Sequence, residues 1–250
     1  MSKMLHLALG PEDAARYALI PGNPDRCTKI AAFLDDPVKV AQTREHTTYA
    51  GTVGGERVLV VSTGMGGPST AICMEELARI GVDTFIRVGT CASTSTAVGI
   101  GDIVIPTGAV RMEGTGLHYL PLEYPAVPDF GLVKTLEQAA IDTGFDPILG
   151  VVIHKDSFYT EIDPQTKPVG SELVAKWKAY LAGGAVATDM ETATLCLVAA
   201  SLGLRAATVL VSATSDGDPA AKDVSAAAYP HDFEERPIRV AVEALRQLID

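Results

Sequence analysis

Six short runs, at residues 17–20, 58–61, 84–88, 103–105, 150–153 and 207–211, are apolar, rich in β-branched residues and lack the regular polar alternation of a half-exposed strand. Each is predicted to be a strand buried on both faces. Between them lie helical patterns. Pro68 stands where a first-turn proline would, Cys73, Leu77 and Ile80 recur at i, i+4 and i+7, and Gly81 stops the segment. Residues 191–202 are apolar almost all round, which predicts a central helix, whereas Ile238, Ala241, Val242, Leu245 and Leu248 form the stripe of a closing amphipathic helix. Buried strands alternating with helices predict an α/β protein whose mostly parallel sheet is covered on both faces.

The 250 residues contain no repeat, low-complexity tract or linker, so one domain over 1–250 is expected. Lys and Arg number 20 against 31 for Asp and Glu, a formal charge of -11, which argues against a nucleic-acid partner. The opening Met1-Ser2-Lys3-Met4-Leu5-His6 lacks the apolar run of a signal peptide. No stretch approaches the ~20 apolar residues of a membrane helix, so a cytoplasmic location without a membrane partner is expected. Cys27, Cys73, Cys91 and Cys196 are far apart, with no C-x-x-C, and are read as buried thiols rather than as a metal site or disulfide framework.

In sheets of this kind ligands gather at the carboxyl ends of strands. The first three runs lead into Pro21-Gly22-Asn23-Pro24-Asp25-Arg26, into Ser62-Thr63-Gly64-Met65-Gly66-Gly67-Pro68 and into Arg87-Val88-Gly89-Thr90. A dinucleotide fingerprint fails, because Ser69 stands where the third glycine of GxGxxG belongs. Arg26 and Arg87 suit a smaller anion: a guanidinium is a planar fork of donors that matches phosphate oxygens, and Thr90 and the Gly22 amide lie between the two. The plainer alternative is a pair of solvated arginines, which is least persuasive for Arg87 inside an apolar run. In Thr188-Asp189-Met190-Glu191-Thr192, Asp189 is a candidate helix cap, and Glu191 could accept two hydrogen bonds from adjacent sugar hydroxyls.

Several of these pieces, in this order, resemble the nucleoside phosphorylases, most closely the uridine phosphorylases. The matching segments are residues 21–26, Arg44-Glu45, residues 62–69, residues 85–90, Pro125-Ala126-Val127, Asp156-Ser157-Phe158-Tyr159 and residues 190–195, which together span nearly the whole chain. The resemblance implies a three-layer α/β/α sandwich, a homodimer assembling into a hexamer, and reversible phosphorolysis of a nucleoside with inorganic phosphate as co-substrate and no other cofactor. Gly22, Arg26, Arg87 and Thr90 would bind phosphate, with Arg44 joining from a neighbouring subunit. Thr90, Met190 and Glu191 would hold the ribose, with His6 reaching across the dimer, and Phe158 would wall the base. Glu45 and Ser69 resemble positions that hold a monovalent cation in some relatives; no other metal is implied.

The resemblance is broken at the base. Uridine phosphorylases carry a Gln and an Arg shortly after the Phe-Tyr pair; here Glu161 takes the Gln place and Thr166 the Arg place, with Gln165 and Lys167 nearby. Asp189 replaces a more usual Glu. Asp216, in Thr214-Ser215-Asp216-Gly217, resembles the purine-side acid of purine nucleoside phosphorylases, or is simply a turn residue. Expected catalytic residues are therefore Arg87, Glu191 and Asp216, and expected base contacts are Phe158, Glu161 and Asp216. The purine reading stays open beside uridine, as does a nucleoside or phosphate binder without catalysis.

Overall fold

The computed structural model describes residues 3–215 and 229–249. In chain order its main elements are β1 (Tyr17–Pro21), α1 (Pro24–Ala31), β2 (Asp35–Thr43), β3 (His46–Val53), β4 (Glu56–Val61), α2 (Gly67–Arg79), β5 (Thr84–Ser93) and β6 (Ile103–Met112). There follow α3 (Phe130–Asp142), β7 (Ile148–Lys155), α4 (Tyr159–Ile162), α5 (Gly170–Ala182), β8 (Ala187–Asp189), α6 (Thr192–Leu202), β9 (Arg205–Ser212) and α7 (Glu235–Ile249). All six predicted strands fall inside these elements, and β2, β3 and β8 are additional. No helix among the described residues is long and apolar enough to cross a membrane.

The strands form one sheet in the order β2-β3-β4-β1-β5-β8-β7-β6-β9, and β9 pairs with β5 as well, so the last five strands close into a ring. The expectation of an α/β protein built on a large sheet is met, but that of a mostly parallel sheet is not. Five pairings are parallel and four, β2–β3, β3–β4, β5–β8 and β6–β9, are antiparallel. The cause is local. Gly54 and Gly55, with φ of 57° and 83°, make the tight Gly-Gly turn that joins β3 to β4 as a hairpin. Two antiparallel pairings, β5–β8 and β6–β9, then complete the ring.

Helices cover both faces of the β4–β1–β5 region. Cys27 and Ile30 of α1, Leu132 and Leu136 of α3, and Ile238 and Leu245 of α7 pack with Leu19, Val58, Val60 and Ile86. Ala18, Ile20, Leu59 and Phe85 point the other way, onto Cys73, Met74 and Leu77 of α2 and Leu195 and Val198 of α6. Helix α6 is buried along most of its length, and Gly203, at φ 68°, closes it in the left-handed conformation favoured at such a position. Because β1 runs parallel to β4 and β5, the segments after β1 and β4 and the far half of β5 meet on one side of the sheet.

Candidate active site

A cavity of about 640 Å³ opens at that meeting point. Gly22 and Arg26 line it from the end of β1 and the start of α1, Gly64 and Met65 from beyond β4, and Arg87, Gly89 and Thr90 from β5. Asp189, Met190 and Glu191 contribute from the β8–α6 junction, and Phe158 and Glu161 from beyond β7. Among the described residues, every phosphate, ribose and base residue named from the sequence is therefore here except Arg44 and His6.

Arg87 lies inside β5 and is buried, as are Glu191 and Asp189. Its Nη2 pairs with Glu191 Oε2 and lies 3.4 Å from Asp189 Oδ2. A Cβ on Gly89 would stand 2.7 Å from Arg87 Cζ, so glycine there leaves the guanidinium its space. Burial disfavours the charge on Arg87, but Glu191 and then Asp189 outweigh it and raise its affinity for the proton above that of a free arginine. Burial likewise pushes the Glu191 carboxyl up, and the Arg87 charge with the Gly66 N–H outweighs that and holds it below the ordinary range. The Gly66 amide donates to Glu191 Oε1 at 2.7 Å.

Glu191 is free for this work because other groups cap α6. It occupies the helix N-cap without a side-chain capping bond. Asp189 instead accepts from Thr192 N at 3.1 Å, as the sequence suggested, and from Thr192 Oγ1 at 2.6 Å. His154, at the end of β7, accepts at Nδ1 from Ala193 N at 3.0 Å and Thr194 N at 3.2 Å, which puts its proton on Nε2.

Arg26 is buried, not a solvated surface arginine. Its Nη1 donates to Val88 O at 3.3 Å, while its Nε, and the Nε and Nη1 of Arg87, have no partner. Unpaired buried donors are costly. Burial, and then the like charge of Arg87, push the Arg26 guanidinium down to about 10. Two crowded cations with orphaned donors at one cavity wall fit an anion placed between them.

On the base side, Lys155 at the end of β7 is buried and paired with Glu161 Oε2. Its Nζ also donates to Thr188 Oγ1 at 2.9 Å and lies 5.9 Å from the centre of the half-exposed Phe158 ring. Lys155 was not singled out from the sequence. Its signal was its place two residues after the 150–153 run, a strand exit like those that revealed Arg26 and Thr90. Gln165 and Lys167 do not line the cavity.

Glu45 also lines it, and its Oε1 accepts from Ser69 Oγ at 2.8 Å. Arg44, in the β2–β3 turn, is exposed and does not line it. His6 is held elsewhere: its Nδ1 lies 2.7 Å from Glu76 Oε1 on α2. Asp216 lies outside the described residues.

A family model for the phosphorylase superfamily matches residues 16–250. The chain belongs to the phosphorylase superfamily. Among curated members of the kind, it is 43% identical over 246 residues to the uridine phosphorylase of Treponema pallidum, covering 98% of this chain and 93% of that one. It is 39% identical to the uridine phosphorylase of Escherichia coli, with 99% of both chains covered. The guanosine phosphorylase of Halorubrum lacusprofundi is 37% identical over 99% of this chain and 100% of its own. The likeness to nucleoside phosphorylases, read from separated segments, thus extends over the whole chain.

Proposed function

We propose that this protein is a pentosyltransferase that carries out the reversible phosphorolysis of a nucleoside, uridine first, to free base and ribose 1-phosphate. The observation that carries the reading is the pair of buried arginines, Arg26 and Arg87, which retain unpartnered donors and line the same cavity as Glu191, whose carboxylate Arg87 holds. Phosphate held by Arg26, Arg87, Thr90 and the Gly22 amide would sit on one side of the sugar. Glu191, beside Met190 and Thr90, would accept from adjacent ribose hydroxyls, and Phe158 would wall the base.

A phosphate oxygen forms the new bond to the anomeric carbon as the carbon–nitrogen bond breaks, and the electron pair leaves with the base. The sugar becomes cationic on the way, so the fixed dianion both attacks and stabilises it. Glu45 and Ser69 would hold a monovalent cation only as an accessory.

A homodimer, built into a hexamer, belongs to the same proposal. It is supported by the absence of His6 and Arg44 from the lining of one chain's cavity, since a neighbour would have to supply them. A cytoplasmic location accords with four buried cysteine thiols. A second reading, a 6-oxopurine nucleoside with Asp216 as the acid at the base, is favoured by the full-length match to a guanosine phosphorylase. The test is release of free base from uridine, thymidine, inosine, guanosine and adenosine with and without inorganic phosphate. Phosphate-dependent release is expected, and release that ignores phosphate would overturn the proposal.

A further inference from the structure

Lys155 and Glu161 form a buried ion pair between two cavities. The side chains are 5% and 6% exposed, yet both residues line the 640 Å³ cavity and also a second one of about 600 Å³ bounded by Val169, Leu173 and Trp177. A buried charge pair contributes little net stability compared with an apolar pair of the same size, so its place in a ligand cavity calls for another use.

Its hydrogen bonding is directional. The Thr188 hydroxyl donates to Ile153 O at 2.8 Å and so can only accept from Lys155. Glu161 Oε2 and Thr188 Oγ1 account for two of the three ammonium protons, which leaves one donor on Lys155 and a second acceptor oxygen on Glu161. A donor and an acceptor thus stand side by side next to the Phe158 ring.

We propose that this pair reads the lactam edge of the base, with the Glu161 carboxylate facing the ring N–H and the Lys155 ammonium facing the adjacent ring carbonyl. The inference rests on the phosphorolytic reading above and adds a base class to it. Uracil and thymine present N3–H beside a carbonyl, and hypoxanthine and guanine present N1–H beside the 6-oxo group. Cytosine and adenine carry a bare ring nitrogen beside an amino group at those places, so they would set a lone pair against Glu161 and an N–H against Lys155. The ammonium would also hold the negative charge that builds on the departing lactam, without any proton having to transfer.

The experiment is a set of phosphorolysis rates for uridine, thymidine, inosine and guanosine against cytidine and adenosine, measured on the wild-type protein, Glu161→Gln and Lys155→Met. Buried polar groups left unpaired by the wrong analogue support discrimination of roughly 10⁴-fold, which is expected in kcat/KM for the wild type. A neutral amide can turn either its oxygen or its NH₂ to the ring, so Glu161→Gln should shrink that ratio by roughly 100-fold, through slower lactam and faster amino substrates. Lys155→Met should slow the lactam nucleosides and give nothing to the others. The uridine and inosine arms tell which lactam ring the cavity accepts.

Binding of inorganic phosphate, measured by calorimetry, should stay within about threefold of wild type in both variants and so reports that they are folded; the double variant, which leaves no lone buried charge, serves if either single one is not. Phosphate-dependent cleavage that treats cytidine like uridine and adenosine like inosine would overturn this inference and leave the phosphorylase reading standing. A wild type that cleaves nothing in a phosphate-dependent way would overturn that reading itself.

Discussion

Replacing Arg87 by alanine should reverse the way acid acts on the stability of the site. In the folded protein the guanidinium stands against two buried carboxylates, Glu191 and Asp189, and removing it leaves both without their cation. Breaking a buried pair from one side costs about 3–5 kcal/mol at neutral pH. That is a large part of the 5–15 kcal/mol typical of a whole protein. Glu191 then supplies the pH signature. In the wild type the Arg87 charge holds its folded value below the ordinary carboxylate range, so its contribution is present above the unfolded value and lost as pH falls through the depressed one. Without Arg87, burial dominates and raises the folded value above the unfolded one. The penalty seen at pH 7 is then relieved as pH falls through the raised value, by about 1.4 kcal/mol for each unit of difference.

The assay is urea unfolding at fixed chain concentration between pH 8 and pH 5. The gap between wild type and Arg87→Ala should be widest at pH 8 and narrow toward pH 5, and Arg87→Met with Glu191→Gln should recover most of it. Phosphorolysis should fall in parallel by about 2.7–4 kcal/mol of barrier, roughly 10²- to 10³-fold. A gap below 1 kcal/mol, or one of the same size at both pH values, would refute the argument that Arg87 keeps Glu191 charged.

Arg26→Gln removes charged donors from the anion wall at about 1.5–3 kcal/mol, so the KM for phosphate should rise roughly 10- to 150-fold with that for the nucleoside little changed, as initial-rate kinetics would record. Gly89→Ala should evict the Arg87 guanidinium, because the new methyl carbon lies 2.7 Å from Arg87 Cζ and 2.9 Å from Leu210 Cδ2; phosphate binding by calorimetry should be lost. His154→Ala deprives two α6 amides of their acceptor and should cost about 1–2 kcal/mol in urea unfolding, together with a raised nucleoside KM as Glu191 loses its seat. Mixing inactive His6→Ala with inactive Glu191→Ala chains should regenerate activity after subunit exchange if His6 serves a neighbouring site; a His6→Ala protein that is active by itself would place His6 outside the chemistry, and failure to complement would refute the sharing.

The sequence was most readable where one physical rule acted alone. Short apolar runs read as buried strands, and all six are strands, although in the 150–153 run Val151 is exposed, so that β7 is not covered on both faces along its length. An arginine within such a run needed a buried partner or ligand, and Arg87 has two carboxylates. Strands β2 and β3 escaped because their pattern is polar and Thr-rich, although Gly54-Gly55 between β3 and β4 was a hairpin signal in plain view. Strand β8 is three residues long, below any periodicity, and is set by its pairings with β5 and β7. The closure of β9 on β5 is a long-range pairing with no local trace in the sequence. In the site, Glu191 was found because a carboxylate opens an apolar helix, whereas the capping role of His154 depends on a neighbour 39 positions away in sequence. Lys155 carried a legible signal that the expected Gln-and-Arg pattern drew attention away from.

Because β9 bonds to both β6 and β5, β2 is the one strand that ends the sheet order among the described residues. An open flank is a row of unpaired amides and carbonyls ready to template another chain, and this one is blunted several ways. Pro37 offers no N–H, Asp36 sits at φ 48°, the pairing with β3 slips in register twice, and Asp35 and Lys39 carry charge outward. Extension of the sheet by a second copy at this edge is therefore disfavoured. The core strands are of the sequence type most prone to growing into fibres, and this edge is built to resist strand-by-strand growth.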